Sequence, residues 1–338
     1  MTANGTELDG GFKFMGTNLD PWRFIPAVGE IYSQGEIDRW VANAVRYTHT
    51  RVIRVQMNGG AFEPSVGTYG EPTFKQLDYL LAAARQHNVY VLIALRDYAW
   101  TPWPPGRAYD PYWYMDGGTK ANPGMDNILT RPDAIAAFKR YISYVVNRVN
   151  TVTGVKYKDD VNIFGWEIMN EPNMVPGIKS WLADMGDYLK SVDPNHLVGV
   201  APGDLGQAGW EPGAANWDAL KIPQLDFVAI HYYADFYNPS NTNWVSRYDE
   251  ILHTVKTLDK PVILDEFGCP DNYAVSRIAN LYRTIITSSF SEGLCGVMQY
   301  SWGPPGPSQL GGPGSFCIDT RDAEICTIMR DLAPKGGR

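Results

Sequence analysis

The sequence predicts an α/β fold in which eight parallel strands close into a (β/α)8 TIM barrel, a single domain over residues 1–338. Short apolar runs alternate with longer amphipathic segments from one end of the 338-residue chain to the other. Eight is the number of strands that closes such a barrel. An open doubly wound sheet is the alternative, but no G-x-G-x-x-G opens a helix after the first strand.

Eight apolar runs are short enough to be single strands. Their near-continuous apolar character is typical of parallel strands that are covered by helices. In chain order the runs are residues 12–18, 51–57, 89–95, 162–170, 196–202, 227–233, 261–267 and 296–302.

Amphipathic patterns with helical periodicity separate most of these runs. We expect the corresponding helices to pack around the outside of the barrel. They are residues 36–48, 74–87, 131–150, 178–192, 244–258 and 275–290.

Two irregular segments are rich in aromatic residues, Gly and Pro. Residues 96–130 follow the third strand, and residues 201–217 follow the fifth. Long connections inside a compact domain are usually functional. Both are expected to project from the carboxyl-terminal face of the barrel, where active sites of this architecture are built.

Composition excludes several classes of partner. The net charge is −8, and no run of Lys and Arg is present, which argues against nucleic acids and anionic membranes. The longest apolar runs are too short to span a bilayer. Aromatic residues make up 13% of the chain, including 11 Trp and 20 Tyr. Their clustering in loops indicates a surface on which a neutral ligand stacks.

The four cysteines show neither C-x-x-C spacing nor a nearby His, so no zinc site is expected. If Cys269 follows one strand and Cys295 opens the next, they lie roughly 15 Å apart at about 3.3 Å per residue. A disulfide needs Cα atoms within about 7 Å. Cys317 with Cys326 is the more plausible local pair.

Two glutamates fall at the carboxyl ends of predicted strands. Glu171 ends the fourth strand, within FGWEIMNEPN at residues 164–173, and Glu266 ends the seventh, within VILDEFG. A buried carboxylate is costly unless it is paired or used. Two carboxylates above one barrel fit glycosidic bond cleavage, in which one protonates the leaving oxygen and the other attacks the sugar. Their separation, which decides between retention and inversion, is left open by the sequence.

Other strand ends supply groups that such a pair needs. Arg54, at the end of the second strand, is expected to keep Glu266 ionised by charge pairing. Asn170 is expected to donate to the sugar hydroxyl next to the cleaved bond. His231 and Tyr233 share one face of the sixth strand, because they are two residues apart.

We expect Tyr233 to bond the nucleophile and His231 to orient the acid. Trp302, at the end of the eighth strand, offers a flat floor for a sugar ring. Glu167 and Asp265 are interpreted as structural, since Glu167 comes before the strand end and strand alternation turns Asp265 to the opposite face.

The loop aromatics have two interpretations. Some of them stack on sugar rings, which we favour, or they pack their own loops together. The stacking candidates are Trp100, Trp113 and Trp210, and the other aromatics of these loops are Trp103, Tyr112, Tyr114 and Trp217.

The segment at residues 131–172, which ends in WEIMNEP, resembles the endo-β-1,4-mannanases of glycoside hydrolase family five, subfamily seven, in the clan of retaining barrel glycosidases. FKFMGTN, HYYADF, KPVILDEFG and the strands that end at Arg54 and Trp302 extend the resemblance over most of the chain. It implies that Glu171 is the acid/base and Glu266 the nucleophile, and that no cofactor or metal takes part. The residues it implies around the cleaved bond are Arg54, Asn170, His231, Tyr233 and Trp302.

The sequence departs from that family at two places. Asn173 stands where many of these mannanases have Arg after Asn-Glu-Pro. After the third strand, residues 96–100 replace the pair of Asn that often precedes a Trp. The expanded loop up to Asp126 is expected to narrow the cleft or block one end of it, which keeps exo action open.

The function predicted is hydrolysis of internal β-1,4-mannosidic bonds in mannan, glucomannan or galactomannan with retention of configuration. A cellulase or β-glucanase and an exo-acting β-mannosidase are alternatives on the same barrel. A non-catalytic carbohydrate-binding protein is the alternative from another class. A metal-dependent enzyme would need several His ligands at strand ends, where only His231 qualifies.

The chain begins with MTANGTELDGG, which has neither a basic segment nor an apolar core like that of a signal peptide. The protein is therefore either cytosolic or a mature form with an added Met. We expect a mature secreted monomer, because polysaccharide substrates lie outside cells.

Overall fold

The computed structural model describes residues 1–19, 32–98, 110–117, 126–203, 214–234, 243–270, 273–303, 318, 320 and 322–335. A small antiparallel hairpin precedes an eight-stranded parallel sheet. The hairpin strands, β1 (Ala3–Asn4) and β2 (Glu7–Leu8), were not predicted because two residues carry no periodicity. The sheet strands are β3 (Phe14–Leu19), β4 (Val52–Gln56), β5 (Tyr90–Ala94), β6 (Ile163–Asn170), β7 (Leu197–Ala201), β8 (Val228–Tyr232), β9 (Val262–Phe267) and β10 (Gly296–Trp302).

The sheet strands follow chain order around the barrel. β3 to β7 are consecutive neighbours, β8 to β10 are likewise, and β10 pairs with β3. Every paired neighbour is parallel, so the predicted (β/α)8 barrel is confirmed. At the seam between β7 and β8, the Asp226 amide donates to the Val198 carbonyl oxygen at 2.7 Å. The Asp226 carboxylate accepts from the Val198 amide at 2.8 Å, which fastens the seam at its amino end.

Each sheet strand is followed by a helix. The six predicted helices are present, and the first begins with a capping box formed by Ser33 and Glu36. The four that the sequence did not predict, α2, α4, α7 and α10, are only 4, 4, 7 and 10 residues long, which leaves few turns for a periodic signal. The helices are α1 (Gln34–Thr48), α2 (Gly59–Phe62), α3 (Glu71–His87), α4 (Asn127–Thr130), α5 (Pro132–Asn147), α6 (Ile178–Val192), α7 (Ala214–Leu220), α8 (Trp244–Val255), α9 (Val275–Ser291) and α10 (Ala323–Leu332).

The barrel interior is apolar at the amino ends of its strands. Phe14, Phe164 and Phe227 are fully buried there and pack edge to face. A Cβ atom at Gly199 would lie 2.4 Å from the Phe227 ring, so only glycine fits beside it. A larger apolar core lies between the sheet and the helices. Polar side chains are thereby concentrated at the carboxyl ends of the strands.

The cysteines lie at both ends of the barrel. The Cys295 thiol, just before β10, donates to the carbonyl oxygen of Thr6 at 3.4 Å, whereas Cys269 follows β9 at the opposite end. Cys317, one partner of the predicted local pair, lies outside the described residues. None of the helices within the described ranges is both long and apolar enough to cross a membrane.

Candidate active site

The carboxyl ends of four strands converge on one polar cluster, and all its members except Gln56 were predicted as site residues from the sequence. Arg54 and His231 are fully buried, and the two glutamates are 8% and 5% exposed, respectively. The cluster consists of Arg54 and Gln56 on β4, Asn170 and Glu171 at the end of β6, His231 on β8 with Tyr233 just after it, and Glu266 on β9.

Glu171 leaves β6 in a strained backbone conformation. Its φ is 48°, in the left-handed region, and its amide donates to the carbonyl oxygen of Ala201 at 2.9 Å. A non-glycine residue held there costs on the order of 1–3 kcal/mol and is typical of functional sites. The turn lets a residue that follows a buried strand direct its carboxylate into the cluster.

Both strands that carry a glutamate of the cluster contain a β-bulge just before it. Between Glu167 and Asn170, β6 has one residue more than β7, and near Asp265 β9 has one residue more than β8 and β10. Bulges redirect side chains next to active sites. The prediction that strand alternation turns Asp265 to the opposite face from Glu266 is therefore wrong, because the extra residue lets both reach Arg54.

Arg54, on β4, links polar groups of β6 and β9. Its guanidinium donates to Oε2 of Glu167 at 2.8 Å and to Oε1 of Glu266 at 2.7 Å. Nε also lies 2.8 Å from Oδ2 of Asp265, and an Nη donates to Oδ1 of Asn170 at 2.7 Å. A buried cation is tolerated when it is surrounded by such acceptors. Arg54 thus fixes the proposed nucleophile and Asn170 relative to each other.

The two carboxyl groups below the proposed nucleophile have pKa values that are shifted in opposite directions. Burial, reinforced by Asp265, raises the pKa of Glu167 well above its usual range in spite of Arg54. Burial also acts against the ionised form of Asp265, but Arg54 and His231 outweigh it and lower the pKa of that carboxyl. The two groups share the Arg54 guanidinium, and both contribute to the charge balance of the site as well as to the structure.

His231 lies between the two glutamates of the cluster. Its Nδ1 is hydrogen-bonded to Oε1 of Glu171 at 2.7 Å. Its Nε2 lies 3.3 Å from Asp265 Oδ1 and 3.5 Å from Glu266 Oε1. Burial disfavours the charged ring, but the carboxylates of Glu266 and Asp265 outweigh burial and raise the pKa of His231 well above its usual value. This shift favours a protonated ring that donates from Nδ1 to Glu171, the contact expected of a residue that orients the acid.

Glu266 accepts hydrogen bonds on both carboxylate oxygens. Tyr233 donates to Oε2 at 2.7 Å, and Oε1 accepts from Arg54 at 2.7 Å and from the Gln56 amide at 2.5 Å. Burial raises the pKa of Glu266, and the opposing charges of His231 and Arg54 do not cancel that rise. Arg54 favours the ionised form as expected, but the net shift is upward.

The spacing of the carboxylates defines the chemistry that they can perform. A carboxylate oxygen of Glu171 lies within 4.8 Å of one of Glu266. Retaining glycosidases hold their two carboxyl groups about 5–5.5 Å apart, and inverting ones about 6.5–9.5 Å apart, to leave room for water. The separation that the sequence left open therefore lies closer to that of retaining glycosidases than to that of inverting ones.

One ligand atom each from Glu171, His231 and Glu266 also lies within the distance needed to surround a metal ion. A metal, however, requires a neutral imidazole with a free lone pair. Nδ1 of His231 is already hydrogen-bonded to Glu171 at 2.7 Å, and the neighbouring carboxylates, which raise the pKa of His231, oppose the neutral form. The arrangement therefore fits proton transfer better than metal coordination.

The predicted stacking residues are less accessible than expected. Trp302 ends β10 but is 2% exposed, and Trp113 is 5% exposed within a short turn of 3-10 helix at Pro111–Tyr114. For Trp113 this burial favours the loop-packing interpretation. Trp100 and Trp210 lie outside the described residues. Sugar stacking by Trp302 stays a prediction.

Three residues of the site were not identified from the sequence. Asn18 accepts from Arg54 at 3.0 Å, Asp97 accepts from Asn170 at 3.0 Å, and Gln56 binds Glu266. Each is a polar residue at or just beyond the end of a strand. Their position was visible in the sequence, but single polar residues at strand ends are common, and one alone does not indicate a functional role.

The loop after β5 is anchored by a buried ionic network. Arg96, 1% exposed, donates to the Asp110 carboxylate at 2.6 and 2.9 Å and to Glu63 at 2.8 Å. Its guanidinium lies 4.4 Å from the centre of the Tyr112 ring. The described part of the 96–130 loop is thereby held against the segment that follows β4.

Asn173, at the position where many of the similar mannanases have Arg, contacts the loop that follows β5. Asn173 is exposed and donates to Oδ1 of Asp126 at 3.3 Å, and the Tyr98 hydroxyl donates to the same oxygen at 2.6 Å. The Asp126 carboxylate therefore accepts from both the Asn173 amide and the Tyr98 hydroxyl, and so links the segment after Glu171 to the loop after β5.

Comparisons with known proteins agree with this geometry. The family described as GH family 5 beta-mannosidase-like matches residues 48–292. Mannan endo-1,4-beta-mannosidase 4 of Solanum lycopersicum is 28% identical over 71% of this chain and 66% of its own length. Mannan endo-1,4-beta-mannosidase 7 of Arabidopsis thaliana is 32% identical over 62% of this chain and 53% of its own length. The crystal structure of the endo-1,4-beta-mannanase from Rhizomucor miehei is similar with a TM-score of 0.78 and 26% identity, covering 98% of both chains.

Proposed function

Because the chain belongs to the β-mannosidase-like family of glycoside hydrolase family 5, we propose that it cleaves internal β-1,4-mannosidic bonds of mannan, glucomannan or galactomannan with retention. The observation that carries the proposal is the approach of the Glu171 and Glu266 carboxylates to within 4.8 Å. The substrate class is supported by the names of the similar plant and fungal enzymes.

In the first step, a Glu266 carboxylate oxygen attacks the anomeric carbon of the sugar. The bond to the leaving oxygen breaks, and Glu171 gives that oxygen its proton. Tyr233 and Arg54 hold the nucleophile through both of its oxygens, and Asn170 donates from Nδ2 to the hydroxyl beside the cleaved bond. Hydrogen bonds of this kind strengthen as positive charge develops on the ring.

In the second step, water attacks the same carbon from the side vacated by the leaving group. Glu171, now ionised, removes a proton from that water, and the bond between the sugar and Glu266 breaks. His231 holds the Glu171 carboxylate in position at this stage through the 2.7 Å hydrogen bond between its Nδ1 and Oε1. Two substitutions at one carbon leave the configuration unchanged.

Two alternatives remain on the same barrel. A β-glucan substrate is one, because glucose differs from mannose in the orientation of a single hydroxyl. Exo action is the other, because the loop at 96–130 is expected to block one end of the cleft. A binding protein without turnover is disfavoured, since both carboxylates and their donors are in place.

Product analysis tests the proposal. The protein is incubated separately with linear mannan, konjac glucomannan and carboxymethyl cellulose, and products are followed by chromatography and mass spectrometry. A ladder of manno-oligosaccharides from the first two, formed as the β-anomer in early NMR spectra, is expected. Mannose alone would indicate exo action, products from cellulose alone would replace the substrate class, and α-anomers would refute retention.

The acid side of the pH profile is expected to lie at a higher pH than an ordinary glutamate would give. Attack requires ionised Glu266, and burial raises its pKa above the usual 4.5. Activity therefore falls as the pH drops through that raised value, and kcat/KM reports it for the free enzyme. Tryptophan fluorescence at each pH verifies that the chain remains folded. An acid limb below pH 4.5 would contradict the expected direction.

We also propose that the protein works outside the cell as a monomer. The support is the substrate class, since mannan polymers are too large to be taken up intact. Detection of the protein in culture medium and its mass by light scattering test the two statements, and a stable dimer or strictly internal protein would overturn them.

A further inference from the structure

Gln56 belongs to the cluster but has no role in either step of the proposed reaction. It ends β4, two residues after Arg54, and is partly exposed at the carboxyl-terminal face of the barrel. Its amide nitrogen lies 2.5 Å from Oε1 of Glu266 and 3.3 Å from Oδ1 of Asn170. Gln56 therefore bridges the proposed nucleophile and the residue assigned to the neighbouring sugar hydroxyl.

The orientation of this amide follows from its neighbours. The Glu266 carboxylate has no proton to give when it is ionised, and Oδ1 of Asn170 already accepts from Arg54. Both neighbours are acceptors, so Gln56 must present its NH2 group to them. Its carbonyl oxygen then points elsewhere, and no donor among the described residues bonds it. An open acceptor is left beside the carboxylate that attacks the sugar.

We propose that Gln56 contacts the substrate in the subsite of the attacked sugar, where its carbonyl oxygen accepts the hydroxyl on C2 of mannose. This inference rests on the function proposed above. In the proposed reaction Glu266 bonds to C1, and Asn170 lies beside C2. The Gln56 NH2 group is hydrogen-bonded to both residues, and its carbonyl oxygen, in the same planar amide, is therefore close to the C2 hydroxyl. Mannose and glucose differ in orientation only at C2. Gln56 thus contributes to the choice of mannose at the cleaved bond.

Glucomannan offers a direct readout, because the attacked sugar becomes the new reducing end of each product. Reduction of the products with borodeuteride, followed by acid hydrolysis, converts new ends into labelled mannitol or glucitol. The ratio of the two measures which sugar occupied the subsite. A residue that only supports the fold or the nucleophile lowers the rate without changing this ratio.

The test variant is Gln56→Met, which keeps the length of the side chain and removes both amide functions. Its kcat/KM on konjac glucomannan is expected to fall about 10- to 100-fold, since a hydrogen bond to a charged group is lost. The glucitol share of new ends is expected to rise at least about twofold as discrimination at C2 weakens. Gln86→Met, at an exposed position on α3, is the matched control and should change neither quantity.

Three outcomes overturn the inference in distinguishable ways. A slower variant with an unchanged glucitol share would mean that Gln56 only positions Glu266. An unchanged rate and share would remove Gln56 from the site. Wild-type protein that forms no new ends from glucomannan would refute the proposed function and this inference with it. If Gln56→Met fails to give a native melting curve, Gln56→Asn, which withdraws the amide by one methylene, must raise the glucitol share in the same way.

Discussion

Replacing Glu266 by Ala is expected to lower kcat on linear mannan by about 100,000-fold, since the covalent intermediate can no longer form. The alanine leaves a cavity lined by Arg54, Tyr233 and Gln56, all of which donated to the lost carboxylate. Those donors are suited to a small anion. Added azide should therefore attack an activated aryl β-mannoside from the same side and yield the α-mannosyl azide.

Two controls accompany this measurement. Glu250→Ala removes an exposed glutamate of α8 that pairs with Arg247 on the surface and is expected to leave kcat unchanged. Circular dichroism and thermal melting establish that the Glu266 variant is folded. Residual activity above a few per cent without azide, or formation of the β-azide, would exclude Glu266 as the nucleophile.

The sequence was sufficient for the barrel because parallel strands buried on both faces are nearly uniform in composition. Each apolar run from residue 12 to residue 302 became a sheet strand, with ends displaced by at most two residues. The same regularity singled out Glu171 and Glu266 as candidates, since polar residues at the ends of such runs stand out. The hydrophobic pattern thus predicted the scaffold and the end of it at which the polar cluster lies.

The sequence did not predict side-chain directions at places where a single inserted residue forms a β-bulge. Strict alternation turns Asp265 away from Glu266, but the bulge in β9 brings both to Arg54. A bulge has no composition that distinguishes it from the flanking strand. The direction of side chains next to the site therefore had to come from the register of neighbouring strands.

The electrostatics were also beyond the sequence, because they depend on burial and several charges at once. Arg54 alone suggests a strongly acidic Glu266, yet desolvation raises the pKa of this carboxyl. Glu167 and Asp265 compete for the same guanidinium, and the pKa of Glu167 is raised while that of Asp265 is lowered. These opposite shifts follow from distances among residues that are far apart in the chain.

Replacing Glu171 by Ala is expected to lower hydrolysis of mannan by about 100- to 10,000-fold, the usual contribution of a general acid or base. An aryl β-mannoside with a good leaving group needs no proton donor. Its first step should remain fast, so a burst of phenol is expected, followed by slow release of the sugar from Glu266. Stopped-flow absorbance measures the burst, and mass spectrometry of the quenched protein measures the trapped adduct.

Glu171→Gln separates proton transfer from the arrangement of the site. The amide oxygen can still accept from His231 Nδ1, as the carboxylate does at 2.7 Å, but the side chain cannot exchange the catalytic proton. Glu171→Gln should therefore lower the rate of mannan hydrolysis as much as Glu171→Ala does. With azide, both Glu171 variants must give the β-mannosyl azide, because the anion attacks an intermediate that is already linked to Glu266. The α-product from a Glu266 variant and the β-product from a Glu171 variant together assign the two carboxylates to opposite faces of the sugar. Equal losses of activity on mannan and on the aryl substrate would contradict the assignment of Glu171 as the acid/base.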